Sequence, residues 1–242
     1  MKHTNSVAVW ILSFSVVLST GFPGKAEVVI GSWQNMTDEG WIDHGNGLSI
    51  TAPENAGKYS FAQNVVPGYA VSLKITQAGW NQNLRLNLHN NPPLMEAFMT
   101  NQLLSFTFSV PAAAETGSTS GYSQIYAVYL NADGLGWTQI PWSLATATGW
   151  TYNNGEDGMP NFYFWEGAPA RTQTVVINYS SYLSQISENP SYLELIFASN
   201  NGGGAPDYFY MNDVKLLQIP EPTSLAMITV VLGALFAFRR QQ

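Results

Sequence analysis

The chain has 242 residues, of which only 10% are charged, with nine Lys and Arg against sixteen Asp and Glu for a net charge of −7. It contains no cysteine, which excludes disulfides, thiolate metal sites and a cysteine nucleophile. So acidic a chain lacks the basic patches that phosphate backbones require, which argues against nucleic acid as a partner, and its 13% aromatic content is that of a packed core.

In chain order, Lys2 and His3 precede an apolar stretch from Val7 to Leu18. Gly24-Lys25-Ala26 then offers small residues at the two positions a signal peptidase reads. Residues 1–26 are therefore read as a secretory signal cleaved after Ala26. Residues 27–218 follow as one domain, with five basic and fifteen acidic side chains and a net charge of −10. A first strand is expected at Val28–Gly31. Alternation of apolar and polar residues then predicts strands at Tyr69–Ile75, Leu84–Leu88 and Leu104–Val110. The more continuously apolar Ile125–Leu130 reads as a central strand. Further strands are expected at Gly47–Thr51, Lys58–Phe61, Thr174–Asn178, Tyr192–Ala198 and Tyr208–Leu217, with short helices at Pro93–Thr100 and Ser181–Ile186. Gly, Asn and Pro clusters such as Pro67-Gly68 and Asn201-Gly202-Gly203-Gly204 separate these elements. The pattern predicts an all-β fold, a two-sheet antiparallel jelly-roll-like sandwich flanked by an N-terminal signal helix and a C-terminal hydrophobic helix.

Residues 219–242 form a separate end. Pro220-Glu221-Pro222 is followed by an apolar run from Leu225 to Phe238 and closed by Arg239-Arg240. Fourteen helical residues reach about 21 Å, short of a hydrocarbon core of about 30 Å, but flanking arginines snorkel and bilayers thin. The basic pair stays cytoplasmic, which puts the preceding domain outside. This end resembles the PEP-CTERM sorting signal of exopolysaccharide-producing Gram-negative bacteria. The resemblance implies export through the inner membrane and transient anchoring. Processing near Pro220-Glu221-Pro222 by an exosortase follows, with a final place at the cell surface or in the extracellular matrix.

The domain in turn resembles the jelly-roll sandwich of carbohydrate-binding modules and galactose-binding-like domains. The likeness is carried by Trp41 after an Asp/Glu/Gly turn, by the strand Leu103–Val110 after a short helix, and by the closing strand Tyr208–Leu216. Such modules often hold a structural calcium between a closing-strand Asp and an acidic residue of the first strand. Here the closing pair is Asn212-Asp213, the reverse of the common order, and the first strand lacks the usual Phe-Glu. The resemblance therefore points to Asp213 with Glu27, or else Asp38 or Glu39, as the only available calcium ligands.

No hydrolase elbow or phosphate-binding loop occurs, and the domain's two histidines, His44 and His89, read as surface or turn residues. A glycosidase requires two carboxylates across a cleft. Glu156, Asp157, Glu166 and Glu194 are candidates by type alone, and Glu194 is expected to point outward from its strand. The strongest chemical signal is aromatic. Trp137, Trp142, Trp150, Tyr152 and Trp165 fall within thirty residues of one another, around a polar, turn-rich loop. Aromatic faces stack on the C–H faces of sugars while amide edges bond hydroxyls, so these five are candidate glycan contacts. The expected function is a non-catalytic, exported envelope or matrix protein that associates with polysaccharide. The alternatives are a purely structural matrix protein and a polysaccharide lyase or glycosidase.

Overall fold

The computed structural model describes residues 27–77, 82–149 and 159–219. Within them lie strands β1 (Val28–Gly31), β2 (Trp41–Asp43), β3 (Tyr59–Gln63), β4 (Val71–Thr76), β5 (Gln82–Asn87) and β6 (Leu103–Val110). They continue as β7 (Tyr122–Ala132), β8 (Gly136–Ile140), β9 (Ala145–Gly149), β10 (Asn161–Tyr163), β11 (Arg171–Asn178), β12 (Leu193–Gly202) and β13 (Tyr208–Leu217). Helices are α1 (Pro92–Thr100), α2 (Ala113–Thr116) and α3 (Ser180–Leu183).

The strands form an antiparallel sandwich. A seven-stranded sheet runs β3-β4-β13-β6-β11-β9 with β1 also on β13, and a six-stranded sheet runs β10-β7-β12-β5-β2 with β8 also on β7. The expected fold class holds. The predicted strand at Gly47–Thr51 does not form. Its one ladder contact is the bridge between Ile42 and Ser49. The Asn55 amide donates to the Leu48 and Ser49 carbonyls at 3.3 and 2.8 Å, and the Ser49 hydroxyl donates to Asp38, so turn chemistry takes the groups a ladder needs. The second predicted helix is shortened to α3.

Inward residues of the two sheets interlock through aromatic rings. Phe106 of β6 meets Phe197 of β12 edge-on at 4.9 Å, and Phe197 also touches Trp41 at 5.7 Å. Trp41 leans on Trp33 at 6.3 Å and donates its indole N–H to the Ile30 carbonyl at 2.6 Å. A second cluster joins Phe108 to Phe162 and Phe209 at 5.2 and 4.6 Å. Trp41 is thus a core residue, as the area such rings bury favours. Helix α1 is capped by Asn91, starts on Pro92 and stacks Phe98 on Tyr179 at 4.5 Å, which closes one end of the sandwich.

Two backbone features need side-chain help. Trp33 is fully buried at φ 54°, a left-handed conformation uncommon for a bulky residue. The Glu39 carboxylate holds it there, accepting from the N–H groups of Ser32 and Trp33 at 2.6 and 2.7 Å and from the Ser32 hydroxyl at 2.8 Å. In β13 the register shifts between Asn212 and Lys215, and Asp213 sits at φ 52°. Asp tolerates this region better than most residues.

Among the described residues no helix is long and apolar enough to cross a membrane. Ala26, Pro220, Glu221, Pro222, Arg239 and Arg240 lie outside the described residues, as do Trp80, Trp150, Tyr152, Glu156 and Asp157.

Replacing Glu39 with Ala strands three donors at a strained turn. We expect a loss of about 2 kcal/mol in urea unfolding; a midpoint unchanged from wild type refutes the role assigned to this carboxylate.

Candidate functional site

Both outer faces carry aromatic side chains: on the seven-stranded sheet Tyr208 and Tyr210 meet edge-on at 5.6 Å, with Lys74 Nζ 3.8 Å from the Tyr208 ring. On the seven-stranded sheet, hydroxyls satisfy one another: Thr107 with Thr174 and Ser109 with Thr172, both at 3.0 Å, while Tyr69 covers Thr107 at 3.2 Å. On the six-stranded sheet the side chains are aromatic, amide and charged, and many of their polar atoms are not used.

Strand β12 is the spine of that face. Leu195 and Phe197 point into the core, so Glu194, Ile196 and Ala198 point out. Register places Glu194 between Asn131 of β7 and Asn87 of β5, and Ile196 between Tyr129 and Arg85. Ile196 and Ala198 face outward yet are fully buried, because the longer side chains of both neighbours close over them. Arg85 Nη1 lies 3.2 Å from Glu194 Oε1, and Asn131 donates to Glu194 Oε2 at 2.7 Å. Both oxygens of Glu194 are therefore engaged, which makes it a positioning group on this face. As the alternation predicted, it faces outward.

Trp137 of β8 stands opposite Asn131 and is 51% exposed. Its ring packs on Tyr129 at 5.1 Å and on His44 at 5.6 Å. His44 follows β2 and bonds through its backbone N–H to the Asn83 carbonyl at 3.0 Å. From β8 to β2 is four interstrand steps, about 19 Å along the sheet. Rings that meet across that span require the sheet to curl towards this face. The face is electrically quiet, since Arg85 is neutralised by Glu194. The His44 pKa is lowered, first by burial and then by the Arg85 charge, against the smaller opposing pull of Glu194 and Asp43. On β5 and just after β2, His44 Nδ1, Asn83 Oδ1, Arg85 Nε and Asn87 Oδ1 are buried without a hydrogen-bond partner among the described residues. Such atoms are not confined to this face: Trp33 Nε1, Asn101 Oδ1, Asn200 Oδ1 and Asn212 Oδ1 are in the same state.

The aromatic character continues along β7. Tyr126 is the extra residue of the bulge opposite Ala198 and Ser199, and its pKa is raised by burial and, secondarily, by Tyr129. Tyr122 lies opposite Gly202, and its ring crosses that glycine. A Cβ at position 202 meets the ring at 3.1 Å. Tyr163 of β10 pairs with Tyr122, their rings 6.3 Å apart.

The five aromatic candidates are thus divided. Trp137 is on the face. Trp142 is only 3% exposed and belongs to the core, its indole N–H holding the carbonyl of Tyr126 at 2.9 Å. It supports the bulge and is not itself a contact surface. Trp165 is 44% exposed, but it lies beyond Tyr163 at the opposite end of β7, roughly 35 Å along the strand from Trp137. Arg171 pins it there, its guanidinium 4.9 Å from the Trp165 ring and 4.8 Å from Phe164. Burial lowers the Arg171 pKa to about 10. The alternating tyrosines of β7, together with His44 and Arg85, were not recognised in the sequence. Tyr122, Tyr126 and Tyr129 interleaved with Ile125, Val128 and Leu130 were the available signal.

Two of the expected calcium ligands, Glu27 and Asp213, both lie beside Lys215. Lys215 Nζ lies 3.0 Å from Glu27 Oε1 and 3.1 Å from Asp213 Oδ2. The neighbouring Asn212 is fully buried and donates its amide to the Val71 carbonyl and the Ser72 hydroxyl, each at 3.0 Å. Gln34 donates to the same Val71 carbonyl at 3.3 Å. The two carboxylates are thus joined by an ammonium, and the buried Asn212 Oδ1 beside them has no hydrogen-bond partner among the described residues. No group of three or more His, Asp or Glu suited to a metal occurs among the described residues.

Because the fold disfavours the charged form of His44, the unfolded chain takes up a proton near pH 6.5 that the folded chain resists. That stability is fully present above this pH and is lost as pH falls below it. We expect the melting temperature of the wild type to drop more steeply on acidification than that of His44→Gln; parallel curves contradict the burial of His44 against Trp137.

No family model and no curated protein matches the chain. Several solved structures are similar in fold at low identity. A carbohydrate-binding module described for specific mannan recognition aligns over 79% of this chain and 94% of its own, at 13% identity and a TM-score of 0.38. A family 27 module of Caldicellulosiruptor saccharolyticus, solved with mannohexaose, aligns over 79% and 97%, at 12% identity and a TM-score of 0.36. The catalytic domain of an α-1,3-glucanase of glycoside hydrolase family 87 aligns over 83% of this chain but 30% of its own, at 11% identity and a TM-score of 0.32.

Proposed function

We propose that this protein is an exported, non-catalytic component of the cell envelope or extracellular matrix that associates with polysaccharide through the outer face of its six-stranded sheet. The observation that carries the reading is Trp137, half exposed and braced on Tyr129 and His44, on a face that also carries the partly exposed Asn83, Arg85 and Asn87 of β5. A braced indole offers an apolar surface to a sugar ring, and the partly exposed amide and guanidinium side chains of β5 offer partners to its hydroxyls. The paired state of Arg85 and the neutral state of His44 favour an uncharged glycan, as does the −10 charge of the domain, which repels polyanions. Glu194 has both oxygens occupied and serves the geometry of the face in this reading, without acting as an acid or base.

The two ends supply the address. Signal peptidase releases the chain after Ala26. The tail beginning at Pro220-Glu221-Pro222 holds it in the inner membrane, with Arg239 and Arg240 cytoplasmic, until exosortase acts. Mass spectrometry of the protein from cells with an active exosortase is expected to show a chain that starts at Glu27 and lacks the segment after Pro222. A mature protein that retains residues 223–242 makes the tail a simple anchor.

Retention on immobilised mannan, xylan and amorphous cellulose tests the binding reading. The wild type is expected to be retained on at least one of them, and Trp137→Ala to bind it about tenfold more weakly, the value of roughly 1.4 kcal/mol of lost stacking. Retention that does not change in Trp137→Ala removes this face from consideration.

A further inference from the structure

The aromatic side chains of the six-stranded sheet are not gathered into one patch. They are strung out along a single strand. Trp137 and Tyr129 touch at one end of β7, Tyr126 follows at the bulge, Gln124 comes next, and Tyr122 and Tyr163 touch at the other end. From Asn131, opposite Trp137, to Tyr122 the strand covers about 30 Å. The rings are tilted to one another, by 36° at the Trp137–Tyr129 end and 52° at the Tyr122–Tyr163 end, and two details hold the row on one face. The Trp142 indole N–H holds the Tyr126 carbonyl, which fixes the bulge where the alternation would otherwise turn that tyrosine away. Gly202 leaves the space over which the Tyr122 ring lies across β12; any larger residue there meets the ring at about 3 Å and must lift it. On the β5 side of the same face, Asn83, Arg85 and Asn87 recur at every second position, so polar groups repeat about every 6.8 Å parallel to the row.

We infer that the ligand of this face is a long, unbranched, uncharged glycan lying along β7, parallel to the strands and in contact with the row from Trp137 to Tyr163. A row of about 30 Å spans about six pyranose units in an extended chain. This rests on the polysaccharide reading above and adds to it a direction, a length and a chain type. A compact disaccharide or a branched cap meets only one end of the row. A linear chain meets aromatic faces at both ends and amide edges along one side. A branch on the β5 side collides with the Arg85–Glu194 pair and the Trp137–His44 contact.

Calorimetry on the purified protein, with linear manno-, xylo- and gluco-oligosaccharides from two to about eight units, separates the two claims. The expected result is an affinity that rises with each added unit and levels off near six. Tyr122→Ala is expected to weaken hexasaccharide binding several-fold and leave trisaccharide binding unchanged, while Trp137→Ala weakens both. Tyr122→Leu keeps bulk at the position and Gly202→Val displaces the ring without removing it; both are expected to reproduce the loss, which guards against a folding defect in the alanine variant. An affinity that levels off at two or three units, or Tyr122 variants that bind hexasaccharide as the wild type does, overturns the inference and leaves the face as a short-sugar site around Trp137. Failure of every oligosaccharide and polysaccharide to bind overturns both.

Discussion

The contact between Phe197 and its aromatic neighbours sets the rest of the molecule. A chain with no cysteine and only 10% charged residues has no disulfide cross-links and few ion pairs to hold two sheets together. It relies on rings that cross the interior, and Phe197 touches Trp41 of its own sheet and Phe106 of the other. Because side chains on a strand alternate, seating Phe197 inward dictates that Glu194, Ile196 and Ala198 face out. A slip of one residue turns Phe197 to solvent and buries Glu194. The core and the outer face are therefore two sides of a single register.

That coupling explains why the outer face is well ordered without being a deep cleft. Ile196 and Ala198 provide a short-chained floor, and Tyr129, Arg85 and Glu194 close over it. Polar atoms of Asn83, Arg85 and Asn87 on β5 are buried without partners among the described residues. On the opposite face hydroxyls pair off with each other across β6 and β11.

Much of the fold was legible in the sequence, because β4, β5, β6 and β13 alternate over five or more residues and the apolar set of each reaches one core. Strands β2, β8, β9 and β10 were not, being three to five residues long and defined by pairing with β5, β7 and β11 more than by their own pattern. The site was half legible. Trp137 was legible as one of five aromatics grouped around a polar, turn-rich loop. Its partners did not, because positions 44, 85, 129, 137 and 194 come together only through the strand order β8-β7-β12-β5-β2, which no local pattern encodes. Trp142 shows the converse limit. An indole in an aromatic-rich stretch looks the same whether it faces sugar or core, and only the Tyr126 carbonyl beside its N–H tells them apart.

The pairing of β1 with β13 has a mechanical side. The two strands run antiparallel, with Val28 beside Leu216, so the chain enters and leaves the domain at adjacent points on one sheet. Tension applied between these two points peels β1 from β13 one hydrogen bond at a time, the weak direction of a sheet. Tension between the β13 exit and a load held on the far sheet is carried differently. It must shear β13 along β4 and β6 all at once, and drag the Phe106–Phe197 contact with it. A domain with this layout is soft when pulled by its own two ends and stiff when pulled between its exit and its outer face.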